Sequence, residues 1–339
     1  MARDAVKFLA RDADGVVAWP RMRIIYIGSG EIGVPALRAL LAGGEFTVAG
    51  VVTQPDRPAG RRFKLAASPV KQAALLDRVP HIFQPEKINA DGVLAQLREL
   101  RPDLAVVCAY GQILRQPLLD LPRLGCLNIH ASLLPKYRGA ACVQAAVRNG
   151  DTVSGVTVMW MNAGLDTGDI LLQRELAIGD DDTAGTVHDR LALLAPEALL
   201  AALRLIAGGG APRIPQDGAR ASYAGKLRKE DGQVDWRRGA AEIVNHVRAM
   251  SPWPSAYTWL AAGGGRRMLK IHAAAVADGD GAAGTVLRAD AGGVLVAAAD
   301  GGVLLREVQL ESRKRMPAAE FARGGQVRAG ERFAGVNAR

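Results

Sequence analysis

The chain has 339 residues, 49% of them hydrophobic and 23% charged, which is an ordinary globular balance with apolar material for two cores. A formal net charge of +9 points to a polyanionic partner, nucleic acid being the commonest, although an Arg-rich proteome bias would give the same figure. No apolar stretch approaches the ~18 residues of a membrane span.

Cys108, Cys126 and Cys142 form no C-x-x-C pair and sit in apolar or small-residue settings. They read as reduced, buried small hydrophobes rather than metal ligands or bridges, and a reduced set fits the cytoplasm. No metal is expected. Met1 to Pro20 carries charges throughout, leaving no uninterrupted apolar region of a signal peptide. Met22 directly precedes a strong strand pattern, so residues 1–21 are expected to be a disordered upstream extension.

From there, short apolar runs alternate with helical patterns, the mark of βαβ units on an open, Rossmann-like parallel sheet. Strands are predicted at Ile24–Ile27, Val48–Val52, His81–Phe83, Leu104–Cys108, Cys126–Ile129, Val156–Met161 and Ile170–Leu176. Helices are predicted at Val34–Leu41, Pro69–Leu76 (capped by Ser68), Asp91–Leu100 and Thr186–Leu205. The stretch Ala207–Pro215 breaks every pattern and marks a linker. Beyond it come a helix at Ala240–Met250 and strands at Ala256–Leu260, Met268–Ala275, Gly284–Arg288, Gly293–Ala298 and Gly302–Leu310. Their spacing suggests a small OB-like β-barrel of Greek-key type. The expected domains are an α/β catalytic domain over 22–208, a linker over 209–228 and the barrel over 229–335.

Gly28-Ser29-Gly30-Glu31-Ile32-Gly33 fits G-x-G-x-x-G between a strand and a helix. A dinucleotide site also needs an acid near the end of the second strand, to hold a ribose hydroxyl. Here that strand runs into Thr53-Gln54-Pro55-Asp56, with prolines and a basic loop where the acid should stand. The glycines therefore read as a tight strand-to-helix turn, and a nicotinamide-dependent oxidoreductase is a remote alternative.

Asn128 and His130 lie two apart at the C-terminal end of a predicted parallel strand, so their side chains share a face. Open α/β sheets place their sites at such ends. The turn Gly164-Leu165-Asp166-Thr167-Gly168-Asp169 between two later strands could bring Asp166 beside His130. Taken singly, such a histidine is more often a hydrogen-bonded structural residue, and such an aspartate serves its turn. Together, an amide, an imidazole and a carboxylate make a workable acyl-transfer set.

The stretch Asn128-Ile129-His130-Ala131-Ser132-Leu133-Leu134-Pro135, with Asp166 downstream, resembles the signature of the folate-dependent formyltransferases. Further similar segments are Thr53 to Arg61, Ser68 to Lys71, Ala109 to Leu114, Lys226 to Asp231, Pro252 to Tyr257 and Lys314 to Met316. The resemblance runs over nearly all of Met22 to Gly335 and is to the branch that acts on initiator methionyl-tRNA. It implies 10-formyltetrahydrofolate as donor and the α-amino group of the methionyl ester as acceptor. It also implies that Asn128 donates to the tetrahedral oxyanion, while His130 adds a charged donor and protonates the leaving folate nitrogen. Asp166 would hold His130 charged, since an unperturbed histidine titrates near ~6.5 and a carboxylate raises that. Ser132, Leu133, Leu134 and Pro135, with Gly111, Gln112, Ile113 and Leu114, would line the pterin pocket.

On the nucleic-acid side, Arg57, Arg61, Arg62 and Lys64 crowd the loop after the second strand. The resemblance implies that this loop inserts at the tRNA acceptor end, with Arg61 at the key position. Arg228 in the linker and Arg313, Lys314 and Arg315 in the barrel would track the RNA backbone. Three places depart from the family pattern: Gly28-Ser29-Gly30, Arg62-Phe63 and Cys142. A sugar-amine N-formyltransferase with the same donor is the nearest rival, and a non-catalytic RNA-binding module a third reading. The expected enzyme is a cytoplasmic monomer.

Overall fold

The computed structural model describes residues 21–59, 64–262 and 265–333, together with the short strands β1 (Ala10–Arg11) and β2 (Val17–Ala18), which pair antiparallel. The rest of the upstream segment expected to be disordered lies outside the described residues, as do Arg61 and Arg62. The chain forms two compact units. The first comprises Met1–Arg138, Gly155–Leu176 and Asp189–Ser222; the second comprises Gly139–Ser154, Ala177–His188 and Tyr223–Arg339.

In the first unit, β3 (Arg23–Gly28) is buried at every residue but the first, because Ile24 to Ile27 is covered on both faces as a central parallel strand must be. A 3-10 turn leads into α1 (Val34–Gly43), whose Pro35 sits in the first turn and whose end is set by Gly44 at φ +64°. Next come β4 (Thr47–Val52) and a hairpin, β5 (Arg57–Ala59) with β6 (Lys64–Ala66), where sequence patterning suggested only a basic loop. Helix α2 (Pro69–Leu76) begins as expected: the Ser68 hydroxyl accepts from the Lys71 N–H at 3.0 Å, and proline takes the first position. The order continues through β7 (Ile82–Phe83), α3 (Asp91–Glu99), β8 (Leu104–Cys108), α4 (Gln116–Leu119) and β9 (Cys126–His130).

The chain then runs through α5 (Cys142–Arg148), β10 (Val153–Trp160), β11 (Ile170–Ala177) and the long α6 (Ala184–Ala207). The resulting seven-stranded sheet has the order β11-β10-β9-β8-β3-β4-β7. Strands β7, β4, β3, β8 and β9 are parallel to one another, whereas β10 runs antiparallel to β9. Ile25, Ile27, Val52, Leu97, Val107 and Leu118 belong to one buried cluster beneath it.

The stretch expected as a linker is hydrogen-bonded to the first unit. Ile214 exchanges backbone hydrogen bonds with Ile170 (2.8 and 3.0 Å), and the Trp160 indole N–H donates to the Pro212 carbonyl at 3.0 Å.

The second unit holds α7 (Ala240–Ala249) and the strands β12 (Ala256–Ala262), β13 (Gly265–Ala277), β14 (Val286–Asp290), β15 (Gly293–Ala297), β16 (Gly302–Leu310) and β17 (Met316–Pro317), followed by α8 (Ala318–Arg323). These strands form an antiparallel sheet in the order β12-β13-β16-β15-β14, with β17 on β16. Trp236 is fully buried beside it, its indole N–H donating to the Thr258 hydroxyl at 3.0 Å. An α/β unit followed by an antiparallel β-rich one is the expected fold class.

His246 on α7 is buried, its Nε2 3.3 Å from the Gly232 carbonyl. Burial pushes its pKa down to about 4, and the nearby Arg148 and Arg238 add to the depression. Below ~6.5 the unfolded chain takes up a proton that the folded chain refuses until about 4, so stability is lost as pH falls through that window. Urea unfolding should therefore show a midpoint falling between these pH values, and His246→Gln should flatten that slope.

Candidate active site

Strand β9 supplies the first two groups. Asn128 and His130 alternate with Ile129 and so project to one face, as the pleat requires. Two residues at ~3.4 Å each put them roughly 7 Å apart along the strand. The third group arrives by a less direct route. In the β9–β10 register His130 opposes Thr157 and Leu127 opposes Trp160, so the loop after β10 opens at the far end of β9 from His130. Residues 162–169 must fold back across the sheet for Asp166 to reach the other two.

They do. The Asn128 side-chain amide donates to Asp166 Oδ1 at 3.3 Å, and His130 Nδ1 lies 3.7 Å from Asp166 Oδ2. One carboxylate thus faces both β9 side chains, in a setting where the His130 and Asp166 side chains keep only 7% and 12% of their exposure. His130 Nε2 is 2.9 Å from the Tyr137 carbonyl, an acceptor only, so that nitrogen carries a proton. One ring nitrogen thus faces a carbonyl and the other a carboxylate, so both look onto acceptor oxygens. The Asn128 amide has a second hydrogen beyond the one directed at Asp166.

The backfolded turn is tight. Asp166 has φ +52°, a left-handed conformation that aspartate tolerates better than most residues. Asn162 Oδ1 accepts from the Gly164 N–H (3.0 Å) and the Thr167 hydroxyl (2.8 Å). A Cβ on Gly168 would stand 1.7 Å from the Trp160 carbonyl oxygen, so only glycine lets the chain pass there.

The segments expected to hold a pterin are placed as follows. Ser132 is fully buried, its hydroxyl donating to the Lys136 carbonyl at 2.7 Å. Leu134 is buried with Met159 and Ile170; its N–H donates to the Thr157 hydroxyl, and its carbonyl accepts from the Gln173 amide. Leu133 and Pro135 are half-buried. Gly111 (φ +92°) faces open space and Ile113 is 77% exposed, whereas Leu114 belongs to the core. The Gln112 side chain is turned inward, accepting from the Ile88 N–H at 3.0 Å.

The basic hairpin is anchored at its base. Gln54 Oε1 accepts from Arg57 Nη2 (3.3 Å) and Gln112 Nε2 (3.4 Å), while Gln54 Nε2 donates to the Tyr110 carbonyl (3.2 Å). Asp56, which stands near the position of a ribose-binding acid, pairs with Lys71 at 2.7 Å and accepts from Gln84. Hydrogen bonds from Lys71 and Gln84 hold its carboxyl below the ordinary range. A Cβ on Gly33 would lie 2.7 Å from the Tyr26 hydroxyl, which itself donates to the Gly33 carbonyl. The glycine motif is thus explained by packing.

Arg57 and Lys64 are exposed in the first unit; Arg228, Arg313, Lys314 and Arg315 are exposed in the second. Arg315 is committed to Glu307, Nη2 donating to Oε2 at 2.6 Å. Among the described residues no group of three His, Cys, Asp or Glu could hold a metal, and no helix is long and apolar enough to cross a membrane.

The formyl transferase family model matches residues 22–203, and the model of the formyl transferase C-terminal domain matches residues 226–326. The chain belongs to the formyl transferase family. It is 49% identical to the methionyl-tRNA formyltransferase of Methylacidiphilum infernorum over 91% of this chain and 97% of that protein. It is 47% identical to the methionyl-tRNA formyltransferase of Geobacter sulfurreducens over 92% and 96% of the two chains. Among solved structures the fold is similar to that of WlaRD, a sugar 3N-formyl transferase (TM-score 0.61, 18% identity, 86% of this chain and 99% of that one). It is also similar to HypX from Aquifex aeolicus, crystallised with tetrahydrofolic acid (TM-score 0.57, 17% identity), of whose length this chain covers 47%.

Sequence reasoning missed Gln216. Its amide donates to the carbonyls of Asp166 (2.9 Å) and Gly168 (2.8 Å), from a stretch with no local pattern to mark it. Gly168→Ala should destabilise the chain by ~1–3 kcal/mol, because the clash is with backbone rather than a movable side chain. An unchanged urea midpoint would mean that the turn can lift away from β10.

Proposed function

We propose that this chain transfers the formyl group of 10-formyltetrahydrofolate to the α-amino group of initiator methionyl-tRNA, giving formylmethionyl-tRNA for translation initiation. The observation that carries the chemistry is the single Asp166 carboxylate facing both Asn128 and His130. The acceptor follows from relatives named methionyl-tRNA formyltransferase at 47–49% identity over nine-tenths of the chain. We read the enzyme as a cytoplasmic monomer.

The acceptor amine, neutral when it attacks, forms a bond to the formyl carbon and turns the formyl oxygen into an oxyanion. Asn128 donates its second amide hydrogen to that oxygen; such a donor strengthens as charge develops and is worth ~10²–10³ in rate. Asp166 takes up the proton that the attacking nitrogen must lose. His130, held as imidazolium between Asp166 and the Tyr137 carbonyl, supplies positive charge beside the oxyanion. Its Nδ1–H also supplies the proton for the departing folate nitrogen as the carbon–nitrogen bond breaks, and the proton taken up by Asp166 then passes to Nδ1, restoring both groups. Gly111 and Ile113 fit a flat donor ring, since one leaves open space and the other exposes apolar surface. Ser132 to Pro135 form the opposite wall in this reading. Arg57, Arg61, Arg62 and Lys64 engage the acceptor end, and Arg228, Arg313 and Lys314 track the backbone, with Arg315 contributing after release from Glu307.

The test is to incubate the protein with 10-formyltetrahydrofolate and charged initiator methionyl-tRNA and to follow formylmethionine. Absence of product overturns the proposal, and product on a nucleotide-linked amino sugar instead would install the rival. His130→Ala and Asn128→Ala should each lower kcat by ~10²-fold or more in variants that still unfold in a single cooperative urea transition. The KM for tRNA should rise steeply between 50 and 200 mM salt, on the order of tenfold or more. A flat dependence would remove the basic hairpin from RNA binding.

A further inference from the structure

Asp166 sits in a backfolded, left-handed turn, and something must fix its carboxylate relative to two groups on a different strand. Gln216 is placed to do this. Both hydrogens of its side-chain amide are used on the turn, one on the Asp166 carbonyl at 2.9 Å and one on the Gly168 carbonyl at 2.8 Å. Its Oε1 accepts from Arg138 Nε (3.1 Å) and Nη2 (2.9 Å), so the guanidinium edge grips one oxygen. Arg138 is buried, and it directly follows Tyr137, whose carbonyl orients His130 Nε2.

A closed circuit results. It runs from His130 to the Tyr137 carbonyl, along the chain to Arg138, across to Gln216, on to the Asp166 turn, and back to His130 Nδ1. The segment bearing Gln216 is itself fixed on both sides. Ile214 exchanges backbone hydrogen bonds with Ile170, while Ser222 accepts from the N–H groups of Tyr137 (2.9 Å, hydroxyl) and Arg138 (2.8 Å, carbonyl). One segment therefore holds the loop that orients the histidine and the loop that carries the carboxylate.

We infer that Gln216 is a positioning residue for formyl transfer, setting the distance between the Asp166 carboxylate and His130 through the Asp166 and Gly168 carbonyls. This rests on the reading of Asn128, His130 and Asp166 as the catalytic groups.

The experiment is a kinetic cycle on the full chain with 10-formyltetrahydrofolate and charged initiator methionyl-tRNA. Gln216→Ala should lower kcat by ~10-fold or more while changing either KM by less than about threefold, as expected when a misplacement of ~1 Å disturbs chemistry rather than binding. In an Asp166→Ala background the same substitution should cost little more, because the group it positions is gone. Gln216→Glu keeps an acceptor for Arg138 and loses both donors to the turn, so it should behave like Gln216→Ala. Full additivity with Asp166→Ala, or a near-normal Gln216→Glu, would overturn the assignment. A readout independent of turnover separates this from a failed functional reading. Crystal structures of the wild type and Gln216→Ala should show the carboxylate beside His130 in the first and displaced in the second. An undisplaced carboxylate would also overturn the assignment, whatever reaction the protein catalyses.

Discussion

One carboxylate has to serve two side chains on the same strand, and it comes from a loop that opens at the wrong end of that strand. Most of what is unusual near the site follows from this. The β10 strand is antiparallel to β9, so its following loop must fold back across the sheet for Asp166 to reach both side chains. Returning requires a passage with no side chain, met by Gly168, and a reversal of backbone hand, met at Asp166. The carboxylate so delivered lies beside both Asn128 and His130.

Much of this was legible in the sequence because it is coded locally. The buried runs at Ile24, Leu104 and Cys126 gave strands to within a residue or two, since parallel strands covered on both faces need unbroken apolar stretches. Ser68 before Pro69 gave the start of α2 outright. Asn128 and His130 were visible because a spacing of two on a strand means one face. What stayed hidden depends on contacts between residues far apart in the chain. Gln216 lies 50 residues from Asp166 and 78 from Arg138, in a segment whose Gly and Pro content reads as a linker. Leu114 and Gln112 sit in the expected pterin segment, yet one side chain belongs to the core and the other to a backbone N–H. Neighbours in sequence can serve opposite sides of a loop, and no periodicity tells them apart.

The glycine motif shows the same limit from the other side. Its spacing fits a cofactor fingerprint, but each constraint is met from within. The Tyr26 hydroxyl occupies the space above Gly33, and Ser29 accepts the Gln54 N–H at 3.0 Å. Gln54 then ties the ends of three strands together through Ser29, Tyr110 and Gln84. A motif built for close approach is here used to bring loops, rather than a pyrophosphate, near the backbone.

The arginine–carboxylate pairs change what the formal charge of +9 means. Arg315 with Glu307, Arg237 with Asp235 and Arg204 with Glu45 are neutralised in place, and each guanidinium is already answered by its own protein. Arg57, in contrast, is hydrogen-bonded to the uncharged amide of Gln54, while the neighbouring Asp56 carboxylate is taken up by Lys71. Two equally basic stretches of sequence can therefore differ sharply in electrostatic potential. The reach of this protein towards an anion is set less by how many arginines it carries than by where carboxylates have been left out.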